Sequence, residues 1–121
     1  MGSSINWLLA GSGDIAVKRV APALAETAGS RLAAVCDLNL DRAREVAIKF
    51  GADAVHEDYT KALDDPSIDA VYIATPVGLH AAMAVQALEA GKHVLCEKPL
   101  GLSAEDAVRA VDAAERSGRV A

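Results

Sequence analysis

Short apolar runs alternate along this chain with stretches whose apolar residues recur at every third or fourth position. The runs at 5–10, 31–36, 54–56, 70–74 and 94–96 are short and nearly continuous, so they predict buried strands. Between them Leu40, Ala43, Val46, Ala47 and Phe50 recur at helical spacing, and Gly51 stands where that helix must stop. A longer helix is predicted over 14–27, interrupted or kinked by Pro22, which has no N–H to donate. A short helix at 59–63 precedes the turn DDPSID, and another is predicted over 78–90, closed by Gly91. Ser103, with Asp106 three residues later, has the form of a capping box; it opens a helix to about 116, with Gly118 beyond it. Val120 and Ala121 predict the start of an incomplete sixth strand.

Strand and helix in this alternation predict an α/β fold: a doubly wound parallel sheet with helices on both faces, because right-handed crossovers allow little else. In the order 3-2-1-4-5, ligands bind outside the carboxyl ends of the strands, near the switch in strand order. Those ends fall at 11–15, at Asp37, at Thr75 and Pro76, and at 97–99. Cys36 and Cys96 would then lie three strand spacings apart, roughly 14 Å, which excludes a disulfide between them.

Composition narrows the picture further. A chain of 121 residues supports one domain with a real core, and no linker, repeat or low-complexity segment divides 1–121. Hydrophobic residues make up 52% but aromatic ones only 3%, so the core is aliphatic and alanine-rich. The net charge of −5 is spread without long runs, which argues against nucleic acid as a partner. No apolar run reaches membrane-spanning length, and the first residues lack a basic region and a cleavage pattern. A cytoplasmic protein with reduced thiols is the expectation, and self-association is left open.

Four places carry candidate chemistry. Gly11-Ser12-Gly13-Asp14-Ile15-Ala16 is a G-x-G-x-x-A pattern, weak alone but placed directly after the first strand and at the opening of the first helix. There Gly11 makes a tight turn, Gly13 lets backbone amides approach a pyrophosphate, and Ala16 permits close helix–strand packing; a plain glycine turn is the other reading. Asp37, about twenty residues beyond, ends the second strand; a carboxylate there accepts from both adenosine ribose hydroxyls and repels a 2′-phosphate. A helix-capping aspartate is the other reading. Arg42 either stacks on an adenine, which leaves NADP use open, or is a surface charge. Thr75, Pro76 and His80 sit at the end of the fourth strand, His80 being either cofactor-facing or structural. His56 and His93 have no partners at metal-ligand spacing and read as structural, so no metal is expected; Trp7 reads as core.

Taken together, GSGDIA, CDLNLDRA, IATPVGLHAAMAVQALEAGKHVLCEKPL and the SAEDA helix start resemble the N-terminal domain of the glucose–fructose oxidoreductase/inositol dehydrogenase (Gfo/Idh/MocA) family. The resemblance runs over practically the whole chain, and EKP behind a GKHVL strand is its most specific element. It implies a Rossmann domain of an NAD(P)-dependent oxidoreductase acting on sugars, cyclitols or related hydroxy compounds. It further implies that 11–15 hold the pyrophosphate, that Asp37 and Leu38 lie beside the ribose, and that Thr75, Pro76 and His80 line the nicotinamide half of the cleft. Glu97 and Lys98 would lie at the nicotinamide and the reacting hydroxyl, with a cis bond before Pro99.

The chemistry of EKP fits that assignment. Neighbours in an extended segment point to opposite sides, so Glu97 and Lys98 can serve different partners. A compact, flexible ammonium such as Lys98 could hydrogen-bond the substrate oxygen and stabilise alkoxide character as hydride leaves carbon; the plain alternative is an exposed lysine in a loop. Members of the family carry a second α+β domain that supplies the substrate pocket, and it is absent from these 121 residues. The expectation is therefore a cofactor-binding half, inactive alone, that meets a polyol or sugar through a second domain. A stand-alone NAD-sensing module is the competing class; it needs the glycine turn and Asp37 but not a lysine at the hydride position. A ligand-free interaction domain would leave both features as coincidences.

Overall fold

The computed structural model of the chain describes residues 5–13, 19–75 and 79–96. Among the described residues there are five strands, β1 (Ile5–Ala10), β2 (Ser30–Cys36), β3 (Ala54–His56), β4 (Ala70–Ile73) and β5 (His93–Cys96). They form one parallel sheet in the order β3-β2-β1-β4-β5. Four helices lie between them: α1 (Ala21–Glu26), α2 (Leu40–Phe50), α3 (Tyr59–Leu63) and α4 (His80–Glu89). The predicted architecture and strand order are those observed. The predicted helix from Ser103 and the sixth strand lie outside the described residues, as does the first part of the helix predicted from 14.

Side-chain alternation divides the core in two. Leu8, Ala10, Val71 and Ile73 pack with Ala62 and Leu63 of α3 and with Ala84, Ala87 and Leu88 of α4. Leu9, Leu32 and Val35 pack on the opposite face with Ala21 and Leu24 of α1 and with Ala43, Val46 and Ala47 of α2. Trp7 joins this second cluster, partly buried, in keeping with its expected place. Each fully buried leucine, Leu8 and Leu9 among them, contributes about 1.5–3 kcal/mol by leaving water. Alanines on the facing helices let those helices sit close to the sheet.

Two local features depart from a plain reading of the pattern. Trp7 pairs with Leu32 but Leu8 pairs with Ala34, so Ala33 is an extra residue in β2, a bulge. One extra residue reverses the alternation beyond it, which is how Leu32 and Val35 come to share a face. The expected interruption falls at Pro22: α1 carries the proline in its first turn, and Arg19 and Val20 directly before α1 are wound as π-helix, so no i→i−4 donor is lost at the proline. α2 is capped as anticipated at its far end by Gly51, at φ 77°.

Candidate functional site

Strand register fixes what shares the carboxyl edge of the sheet. His56, Cys36, Ala10, Ile73 and Cys96 form one row across the five strands. The ladder then runs one residue further, with Gly11 N–H donating to Cys36 O at 2.9 Å, Asp37 N–H to His56 O at 3.0 Å and Ala74 N–H to Ala10 O at 2.8 Å. Gly11, Asp37 and Ala74 are thus the first residues to leave the sheet, at the point where the chain order reverses between β1 and β4. The same row separates Cys36 from Cys96 by three strand spacings, roughly 14 Å, and Cys36 is a free, buried thiol.

Gly11 adopts φ 103°, and a Cβ on it would lie 2.8 Å from both C and O of Ala74. Only glycine lets the turn after β1 rest directly on the end of β4. Gly13 is different: a Cβ there meets nothing within 4 Å, so the backbone at Gly13 is open to close approach. Of the first three amides in the turn, that of Gly11 is spent on Cys36 and that of Ser12 on Asp37. The Gly13 amide has no partner among the described residues. An anion approaching the turn therefore meets the Gly13 amide as a donor not already spent, while Gly11 and Ser12 shape the turn.

Asp37 is held from two sides. Its Oδ2 accepts the Ser12 N–H at 2.9 Å and also the Ser12 hydroxyl; its Oδ1 accepts the Asn39 N–H at 2.8 Å. The helix-cap role falls to Asn39, whose Oδ1 accepts Arg42 N–H at 3.2 Å. Burial pushes the Asp37 carboxyl upward, but the Ser12 hydroxyl, the Asn39 and Ser12 amides and the nearby Arg42 guanidinium outweigh it and hold it below its ordinary value. Asp37 is an anion at neutral pH. Burial, then the charges of Asp37 and Asp58, push the neighbouring Cys36 thiol up to about 11, so that thiol is unreactive. Leu38 is 86% exposed, an apolar side chain offered to solvent beside the carboxylate.

The opposite flank of the crevice is built on β4 and α4. His80 is buried in the first turn of α4, and its Nε2 lies 2.5 Å from Thr75 O, which places the ring proton on that nitrogen. The Thr75 hydroxyl donates to Met83 Sδ at 3.2 Å, and the Tyr59 hydroxyl donates to Met83 O at 2.8 Å. The imidazole thus ties the end of β4 to α4. His56 Nε2 is buried without a partner among the described residues, and His93 has interactions of its own. Asp14, Ile15, Ala16, Pro76, Glu97, Lys98 and Pro99 lie outside the described residues. No cluster of metal-ligating side chains occurs among the described residues.

Two contacts were not legible in the sequence, which placed Ser12 among the residues that hold the pyrophosphate and not against Asp37. The Ser12 hydroxyl stands at a variable position of the glycine pattern, and nothing in its spacing points to Asp37. Lys92 is buried with Nζ 2.8 Å from the carbonyls of both Asp65 and Ile68, although lysine before a strand usually reads as solvated.

A glycine turn with an approachable backbone at Gly13, a carboxylate at the end of β2 and a parallel sheet that switches order between β1 and β4 define a dinucleotide-binding Rossmann domain. The chain belongs to the GFO_IDH_MocA oxidoreductase family, whose NAD-binding Rossmann-fold model matches residues 5–121. It is 45% identical over 93% of its length to a dTDP-3,4-didehydro-2,6-dideoxy-alpha-D-glucose 3-reductase of Streptomyces violaceoruber, covering 32% of that protein. It is 39% identical over 90% of its length to inositol 2-dehydrogenase 1 of Saccharopolyspora erythraea, covering 33% of it. Among solved structures, KijD10, a 3-ketoreductase from Actinomadura kijaniata in complex with TDP-benzene and NADP, superposes with a TM-score of 0.91 at 36% identity, over 97% of this chain and 37% of that one. The chain spans about a third of the length of these curated relatives. Among the described residues, no helix is long and apolar enough to cross a membrane.

Proposed function

We propose that this chain is the nucleotide-binding part of a cytoplasmic oxidoreductase that moves a hydride between NAD(H) and a sugar, a cyclitol or a related hydroxy compound. The observation that carries the reading is the placement of Asp37, an ionised carboxylate anchored to the glycine turn at the switch point of the sheet. The named relatives, a sugar-nucleotide reductase and an inositol dehydrogenase, support the substrate class. The share of about a third supports a substrate pocket built outside these 121 residues.

The residues present fit the dinucleotide. Amides from Gly13 onward take the pyrophosphate, Oδ1 of Asp37 takes a ribose hydroxyl, and Leu38 and Arg42 flank the adenine end. When bound, the nicotinamide accepts a hydride from a carbinol carbon or returns one to a carbonyl. Thr75 and His80 frame that end of the site, His80 by holding the Thr75 carbonyl, and Pro76 would contribute there too. Glu97 and Lys98 would serve the nicotinamide and the substrate oxygen, Lys98 donating a hydrogen bond to that oxygen and stabilising its developing negative charge.

Calorimetric titration tests the first half of this reading. NAD(H) binds in preference to NADP(H), because a fixed carboxylate meets a 2′-phosphate at close range; equal or tighter NADPH binding would sink it, with Arg42 the group responsible. Steady-state kinetics test the second. In the active oxidoreductase, Lys98→Ala lowers kcat by about 10²-fold or more while NAD affinity stays within a few-fold, the scale of losing one preorganised donor. Loss of NAD binding instead would make Lys98 a phosphate or structural residue.

A further inference from the structure

The hydrogen bonds around Asp37 leave its carboxylate with little freedom. Each carboxylate oxygen offers about two acceptor sites. Oδ2 has both filled by one residue, through the Ser12 amide and the Ser12 hydroxyl, and Oδ1 has one filled by the Asn39 amide. One acceptor site remains. A carboxylate at this position reads most simply as taking both ribose hydroxyls; with Ser12 in place it has room for one. Ser12 itself is 1% exposed, so its hydroxyl has no water to turn to and is committed to the carboxylate.

We propose that Ser12 is a positioning residue for nucleotide selection, its amide and hydroxyl locking Asp37 so that a single Oδ1 site receives the ribose and the charge cannot turn away from a 2′-phosphate. A free aspartate at a strand end can rotate about two side-chain torsions and relieve that repulsion. One pinned by three donors cannot do so without breaking charge-assisted hydrogen bonds. The lock also couples the two halves of the nucleotide site: the turn that presents the Gly13 amide is the same turn that orients the ribose carboxylate. The groups that share this surrounding are the Cys36 thiol on β2, the Arg42 guanidinium on α2, His56 at the end of β3 and Asp58 ahead of α3. Of these, Arg42 favours the ionised carboxylate.

The proposal rests on the reading of Asp37 as the ribose ligand, so the test includes both residues. NAD and NADP affinities are measured by calorimetry for the parent protein, Ser12→Ala and Asp37→Ala, and the Asp37 carboxyl is titrated by carbon NMR. For Ser12→Ala the expected results are an NAD affinity about tenfold weaker, an NAD-to-NADP preference reduced by about the same factor, and an upward move of the Asp37 titration midpoint. A purely structural serine would lower the melting temperature and leave the preference and the midpoint in place; that outcome, with the preference lost in Asp37→Ala, overturns the role of Ser12 alone. If Asp37→Ala retains the full preference, the ribose reading itself fails and takes this proposal with it. Should Ser12→Ala not fold, Ser12→Cys keeps the volume of the buried side chain with a weak donor, and the same two readouts decide.

Discussion

In its proposed role as the ribose ligand, Asp37 links nucleotide binding to the acid stability of the fold. Its folded pKa is depressed, so its contribution to stability is present above the ordinary value of 3.8 and is lost as pH falls through the lower folded value. Asp37→Asn removes that dependence. Its unfolding free energy in urea should fall less steeply than the parent's below about pH 4, and its NAD affinity should fall at every pH. Equal acid slopes in parent and variant would mean that the three donors do not favour the ionised form. At this scale the sequence was readable where spacing carries meaning. Asp37 stands a fixed distance beyond a glycine pattern, and that distance is set by one strand–helix–strand unit. Ser12 was placed in the site with the rest of 11–15, but its bond to Asp37 was not readable, because a serine between two glycines satisfies the turn whatever its hydroxyl does. His80 could be placed at the start of a helix from the pattern, but its contact with the Thr75 carbonyl depends on the angle at which α4 leaves β4.

The turn after β1 separates two uses of glycine that look alike in the pattern. Gly11 has a left-handed backbone and backbone atoms of Ala74 where a Cβ would go, so Gly11→Ala must displace the end of β4. Chemical denaturation should show a loss of roughly 2–4 kcal/mol, with NAD binding lost as the edge rearranges. Gly13 has neither constraint, and Gly13→Ala should melt within a degree or two of the parent, on the order of experimental scatter for a neutral surface change. On the proposed reading its methyl group would stand where the pyrophosphate approaches, so NAD affinity should nonetheless drop about tenfold or more. Unchanged affinity would move the phosphate site away from Gly13. The bulge at Ala33 shows why elements were legible while their register was not. In the run LAAVC every residue is apolar, so the sequence offers no polar position to mark which side chain faces which layer. Strand existence follows from apolar content; parity follows from pairing, which only the assembled sheet decides.

On the proposed reading, binding and cohesion occupy opposite edges of the sheet. The carboxyl edge carries Gly11, Asp37 and Thr75; the amino edge is closed by polar contacts that no ligand would use. There Asn6 N–H donates to Asp69 Oδ2 at 2.8 Å, Asn6 Nδ2 donates to Ser67 O at 3.0 Å, and Asp69 N–H donates to Asn6 O at 2.9 Å. Lys92 reaches the same loop from the start of β5, its buried ammonium shared between the carbonyls of Asp65 and Ile68. Lys92→Met keeps the aliphatic stem but strands two acceptors away from water, each costing about 1–3 kcal/mol when left unpaired. Urea denaturation should therefore show a loss of roughly 2–4 kcal/mol, discounted for water that enters the loosened loop. NAD affinity, measured below the onset of unfolding, should stay within about threefold, since the site lies a full strand length away and distant sites act independently. A variant that kept its stability would show that the two carbonyls find other donors. One that lost NAD affinity while remaining folded would show that the two edges are coupled through the sheet, and the separation of cohesion from binding would have to be abandoned.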